Sequence, residues 1–103
     1  MALREILSFC RVLASPVRLK ILALLARRPL CVNALARRLD LSAGAVSQHL
    51  RLLREEGLVI DDKRGLFVHY RRDDESFRQG LEALRRFWEK REEDDGGEER
   101  DGN

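Results

Sequence analysis

The sequence is short of the residues on which secreted domains and most small enzymes are built. Its 103 residues include two cysteines (Cys10 and Cys31), two histidines (His49 and His69) and two prolines, and aromatics amount to 6%. Two cysteines cannot make a disulfide framework, so reduced thiols in the cytoplasm are expected. No uncharged stretch approaches the ~20 apolar residues of a membrane span, so no membrane partner is expected. Arg4 and Glu5 stand where a signal peptide needs its apolar region, which argues against secretion. There is no Gly-rich phosphate loop, no HExxH and no GxSxG, and neither histidine has an evident nucleophile or carboxylate paired with it in sequence. The expectation is a protein that is not an enzyme.

What is abundant is arginine. It supplies 17 of the 20 basic residues, and its planar fork of donors suits phosphate. The net charge of +2 hides a division: residues 92–103 carry −6, and the first 91 residues carry +8. A basic body implies a polyanionic partner, most commonly nucleic acid. The length fits one domain. Residues 1–91 are expected to form it, with 92–103 as an acidic disordered tail, since glycines and acids there have nothing to bury.

Periodicity gives the order of elements. From Ala2 to Ala14, Leu3, Ile6, Leu7, Cys10 and Leu13 have helical spacing. Ser15-Pro16 caps and starts a second helix with Val17, Ile21, Leu24 and Leu25 inward, and Pro29 ends it. A short helix over about Val32–Leu39 turns Leu35 and Leu39 inward and Arg37 and Arg38 outward. After the Asp40-Leu41 turn, Ser42 caps a helix running to about Glu55, and Gly57 stops it. Two helices joined this closely read as a helix-turn-helix. The runs Leu58–Ile60 and Leu66–Tyr70 then predict a hairpin with Gly65 in its turn, and a last helix spans about Glu75–Arg91. The fold class is mainly α with a small β-hairpin, a winged helix-turn-helix.

On the helix that starts at Ser42, Val46, Leu50 and Leu53 fall within about 60° of one another and fix the inward side. Gly44, Ser47, Gln48 and Arg51 then face outward. Gln48 can bond an adenine edge twice, Arg51 can reach guanine or phosphate, and Ser47 suits either partner. Ala43 and Gly44 let backbone approach phosphate at a helix start that favours anions. Arg37 and Arg38 before the helix, and Lys63 and Arg64 on the wing, flank this face with cations. The plain alternative is the wet side of an ordinary helix; the flanking cations count against it. His49 lies at the margin of the inward face and is placed for packing rather than base reading.

The segments from Val12 to Leu25, Pro29 to Val59 and on through Tyr70 resemble the ArsR-type family of winged-helix regulators. The pattern that carries the resemblance is SxxxVSxHLxxLxxxGLV, met here from Ser42 to Val59. The resemblance implies a homodimeric repressor on a double-stranded operator, released by an inducer, with Ser47 and Gln48 nearest the bases. Two-fold symmetry then implies a palindromic site with recognition helices ~34 Å apart. Dimerisation also follows from two apolar stripes that so small a core cannot cover, Leu3, Ile6, Cys10 and Leu13 on the first helix and Phe77, Leu81, Leu84 and Trp88 on the last.

Soft-metal sensors of this family carry Cys-Val-Cys at the start of the third helix, where this chain has Cys31-Val32-Asn33. Family members with zinc on the last helix need imidazoles where Ser76 and Phe87 stand here, although Asp74 matches the first ligand position. The resemblance leaves Cys10 of one subunit with Cys31 of the other as the expected site for a thiophilic metal or metalloid: As(III), Cd, Pb or Zn. Two readings stay open beside it, a thiol-oxidation switch and plain packing of Cys10 as a small hydrophobe. A remoter reading of the whole chain is a winged-helix module for protein or RNA contacts.

Overall fold

The structure is a computed structural model, and it describes residues 1–94 apart from the side chains of Arg64 and residues 90–94. In chain order the elements are α1 (Leu3–Leu13), α2 (Pro16–Leu25), β1 (Leu30–Cys31), α3 (Val32–Leu39), α4 (Ala43–Glu55), β2 (Val59–Arg64), β3 (Phe67–Arg72) and α5 (Asp74–Asp94). The three antiparallel strands lie in the order β1-β3-β2. This is the winged-helix arrangement expected.

Local chemistry sets the boundaries. Ser15 accepts from the Arg18 amide at 3.2 Å with Pro16 at the first helical position, and Ser42 accepts from the Ala45 amide at 3.1 Å. α4 ends at Gly57 (φ 82°), where the Leu58 amide reaches back to the Leu53 carbonyl at 2.9 Å and Leu58 packs beneath the turn. α3 closes the same way on a non-glycine residue, Asp40 at φ 56°, with the Leu41 amide on the Ala36 carbonyl at 3.0 Å. Asp73 starts α5 by accepting from the Ser76 amide at 3.1 Å, and that amide holds its carboxyl below the usual range.

The core gathers Ile21, Leu35, Val46, Leu50, Leu53, Leu58 and Val59, and no polar or charged residue is buried among the described residues. Three features differ from expectation. α1 turns Ile6, Phe9 and Val12 inward, leaving Leu3 and Leu7 about half exposed. The bulky ring of Phe9 sets this rotation because it has a socket on α5. β1, two residues long, is too short for any alternation to announce it. The last helix runs on to Asp94, three residues past the expected boundary; the remainder of the acidic tail lies outside the described residues.

The Phe9 socket is Gly80. A methyl group there would stand 2.3 Å from Phe9 Cε1, and Phe9 is 3% exposed, so the ring has nowhere to go. Phe77 packs on the same ring at 6.1 Å between centroids and carries the Arg72 guanidinium over its own ring, 4.7 Å from the centroid. Glycine is therefore kept in mid-helix despite its poor propensity, because it lets α5 close on α1. Gly80→Ala is expected to lower stability by about 1–3 kcal/mol through overpacking, although alanine favours a helix by about 1 kcal/mol. Urea denaturation measures the difference; an equal or higher midpoint would mean that Phe9 is not held there.

Candidate nucleic-acid interface

α4 is held in one rotation by Val46, Leu50 and Leu53, all 0–1% exposed. Its opposite side, Ala43, Gly44, Ser47, Gln48 and Arg51, is exposed as the sequence predicts. Ser42 Oγ is engaged in capping, and the amides of Ala43 and Gly44 have no partner within the helix, which makes them donors for an anion. Nothing lies within 4 Å of where a Gly44 side chain would stand, so the protein's own packing does not require glycine there.

Arg51 bonds Glu55 one turn on at 3.2 Å, with both side chains more than half exposed. Such a pair is worth at most about 1 kcal/mol, so the guanidinium is available to a stronger anion. Arg37 and Arg38 lie exposed in the last turn of α3, and Arg38 reaches the Ala34 carbonyl at 3.5 Å. Lys63 is exposed on β2; Arg64 pairs with Phe67 at the end of the hairpin, and its side chain is outside the described set. The hairpin strands thus run closer to the tip than expected, with only Gly65 and Leu66 between them.

Two contacts missed in the sequence fix how α4 is carried. Arg54, near its end, bonds both carboxylate oxygens of Asp61 at 3.2 Å, tying α4 to the base of the wing. From α2, Arg18 donates to the Val12 carbonyl at 2.6 Å and lies 3.2 Å from His49 Nδ1. No spacing rule joins residues 31 apart, so only the fold reveals the second contact. Burial first, and the Arg18 charge second, lower the His49 pKa below 6.5.

Cys31 is the N-cap residue of α3 without a side-chain bond to it, and it stands opposite His69 in the ladder. His69 Nδ1 is buried without a hydrogen-bond partner. Both cysteines are free and half-buried. Among the described residues no three His, Cys, Asp or Glu side chains gather as a metal cluster. Asp74 is engaged by Arg72 Nε at 2.6 Å.

Of the expected dimer stripes, Leu3, Leu81 and Trp88 are exposed, Cys10, Leu13, Phe77 and Leu84 are half-buried, and Ile6 is buried in its own protomer. A groove lined by Leu3, Ile6, Ala83 and Phe87, among others, runs between α1 and α5.

Comparison with known proteins places these features in context. The family model described as "Bacterial regulatory protein, arsR family" matches residues 15–61. The chain is 48% identical over 62 residues to the arsenical resistance operon repressor of Escherichia coli (strain K12), covering 59% of this chain and 53% of that one. It is 37% identical over 78 residues to the transcriptional activator HlyU of Vibrio cholerae, covering 76% and 72%. An ArsR-like transcriptional regulator from Rhodococcus sp. RHA1 superimposes with a TM-score of 0.76 at 31% identity, covering 85% of this chain and 86% of that one. The chain spans about half the length of the first curated relatives it matches.

The His49 contact predicts a pH dependence. Arg18 can donate to Nδ1 only while the ring is neutral, and the unfolded chain takes up its proton near 6.5, before the folded one does. Stability attributable to this site is therefore complete above pH 6.5 and is lost as the pH falls from there toward the lower folded value. Chemical denaturation at pH 7.5 and 5.5 should show a larger loss for the wild type than for His49→Asn. Equal losses would contradict the assignment.

Proposed function

The chain belongs to the ArsR family of bacterial regulatory proteins, and from that we propose that it is a repressor that binds a palindromic operator as a homodimer. It is a winged-helix transcriptional regulator rather than an enzyme. The observation that carries the operator reading is the outward side of α4, where Gly44, Ser47, Gln48 and Arg51 are exposed opposite a fully buried face. In this reading α4 enters the major groove, with Gln48 and Arg51 on base edges and Ser47 beside them. Ser42, Ala43 and Gly44 meet phosphate at the helix start, while Arg37, Arg38, Lys63 and Arg64 grip the flanking backbone.

Residues 1–91 act as one DNA-binding and dimerising unit, working in the cytoplasm where the operator is. Leu3, Leu81 and Trp88 supply exposed apolar surface for a second copy, supported by Leu84 and the groove between α1 and α5. The inducer that accompanies this reading is a thiophilic metal or metalloid held by Cys10 and Cys31 across the two copies. Both thiols are free and half-buried, as a site reached from a second copy requires. Sulfur's polarisability is what would select such an ion.

Gln48→Ala and Arg51→Ala should each weaken binding to a selected operator duplex by about 1–3 kcal/mol, with an unchanged circular-dichroism spectrum. Fluorescence anisotropy measures this, and wild-type affinity in both would remove the assigned role of α4. For the inducer, Cys31→Ser should remain on the operator when arsenite or cadmium is added, while the wild type is released. Release of the variant would reject the thiol site; release of the wild type by mild oxidant alone would favour a disulfide switch.

A further inference from the structure

The hairpin tip has a composition that its own fold does not explain. Leu66 is 96% exposed and Phe67 64% exposed, and they adjoin Gly65 at φ 64° in a two-residue turn. A turn position of this kind accepts Asn, Asp or Ser without cost, so the large apolar side chain of Leu66 gains nothing there for the folded monomer, and Phe67, the first residue of β3, is left mostly exposed beside it. Lys63, also exposed, stands just before them on β2.

The buried residues of β2 lie at the base of the hairpin. Leu58 and Val59 are buried, and Asp61 is tied to Arg54 of α4 by two bonds. Beyond Asp61 no residue of β2 is buried among those described. Four residues at ~3.3 Å each carry the turn about 13 Å past that anchor. This is comparable with the ~12 Å width of a major groove.

We infer that Leu66 and Phe67 form an apolar wedge that enters the minor groove beside the α4 site, partly unstacks a base step and kinks the operator. The inference rests on the operator reading above and adds an occupant for the exposed pair. Charge complementarity favours duplex DNA over a second copy, since the exposed Lys63 stands just before the apolar pair at the tip. Phosphates need the cations, and only the stacked bases between them offer apolar surface. Wedges of leucine and phenylalanine bend duplexes by about 20–90° in minor-groove binders.

The test uses the whole chain and a duplex selected by it from a random-sequence pool, labelled at both ends for energy transfer. The wild type is expected to bend this duplex. The double variant Leu66→Ala/Phe67→Ala should keep its thermal midpoint, lose most of the bend and bind roughly ten-fold more weakly, with the same dependence on salt. Lys63→Ala should keep the bend and reduce the salt slope by about one. A straight wild-type complex, or a double variant that binds and bends like the wild type, overturns the wedge while leaving operator binding intact. A double variant that loses self-association in sedimentation but still bends DNA gives the pair to a second copy and overturns it too. If the wild type selects no duplex, the operator reading fails and the wedge falls with it.

Discussion

The structure depends on the rotation of one helix. Val46, Leu50 and Leu53 are buried to the last few square ångströms, so α4 cannot turn about its axis without carrying a leucine into water. Burying such a side chain is worth about 1.5–3 kcal/mol, and three of them outweigh any single surface contact of α4. The polar face opposite is therefore presented by exclusion. Ser47, Gln48 and Arg51 point outward because the helix has no other place to put Val46, Leu50 and Leu53.

The rest of the molecule keeps that helix at a fixed angle and height. Leu58 and Gly57 close its end, and Arg54 joins it to Asp61, so α4 and the wing are presented as one body. At its inner margin His49 meets Arg18, whose guanidinium also holds the end of α1 through the Val12 carbonyl. Phe9 on α1 then fills the space left by Gly80 on α5. A chain of packed contacts thus runs from the terminal helices to α4, with few exposed charges in it. Surface ion pairs such as those of Glu82 with Arg85 and Arg86 are solvent-exposed and contribute little to this path.

Local signals were legible in the sequence where they are complete in a few residues. Ser15-Pro16, Ser42 and Gly57 each specify a cap by chemistry that needs no partner elsewhere, and the bounds of α3 and the face of α4 agree with the structure. The face of α1 was not legible, because Leu3, Leu7 and Cys10 compete with Phe9 and Val12 for the inside and only the Gly80 socket decides between them. β1 was invisible since its two residues pair with Tyr70 and His69 some forty positions away. For the candidate site, the exposure of Ser47, Gln48 and Arg51 followed from the helical period. The Arg18–His49 and Arg54–Asp61 contacts did not, because each joins separate elements.

The position of Cys31 constrains how any inducer could reach DNA. It is both the last residue of β1 and the cap position of α3, so one side chain adjoins the β1–β3 ladder and the first turn of the helix that packs on α4. A ligand bound there changes operator affinity only by as much as it prefers one placement of α3 over another. In the proposed site that preference comes from the distance between Cys31 and the partner copy's first helix, which the rigid Phe9–Gly80 contact ties to the dimerising surface. By linkage, the operator must weaken inducer binding by the same factor that the inducer weakens operator binding. The stiffness with which α4 is held is thus what would make a small movement at Cys31 felt at Gln48 and Arg51.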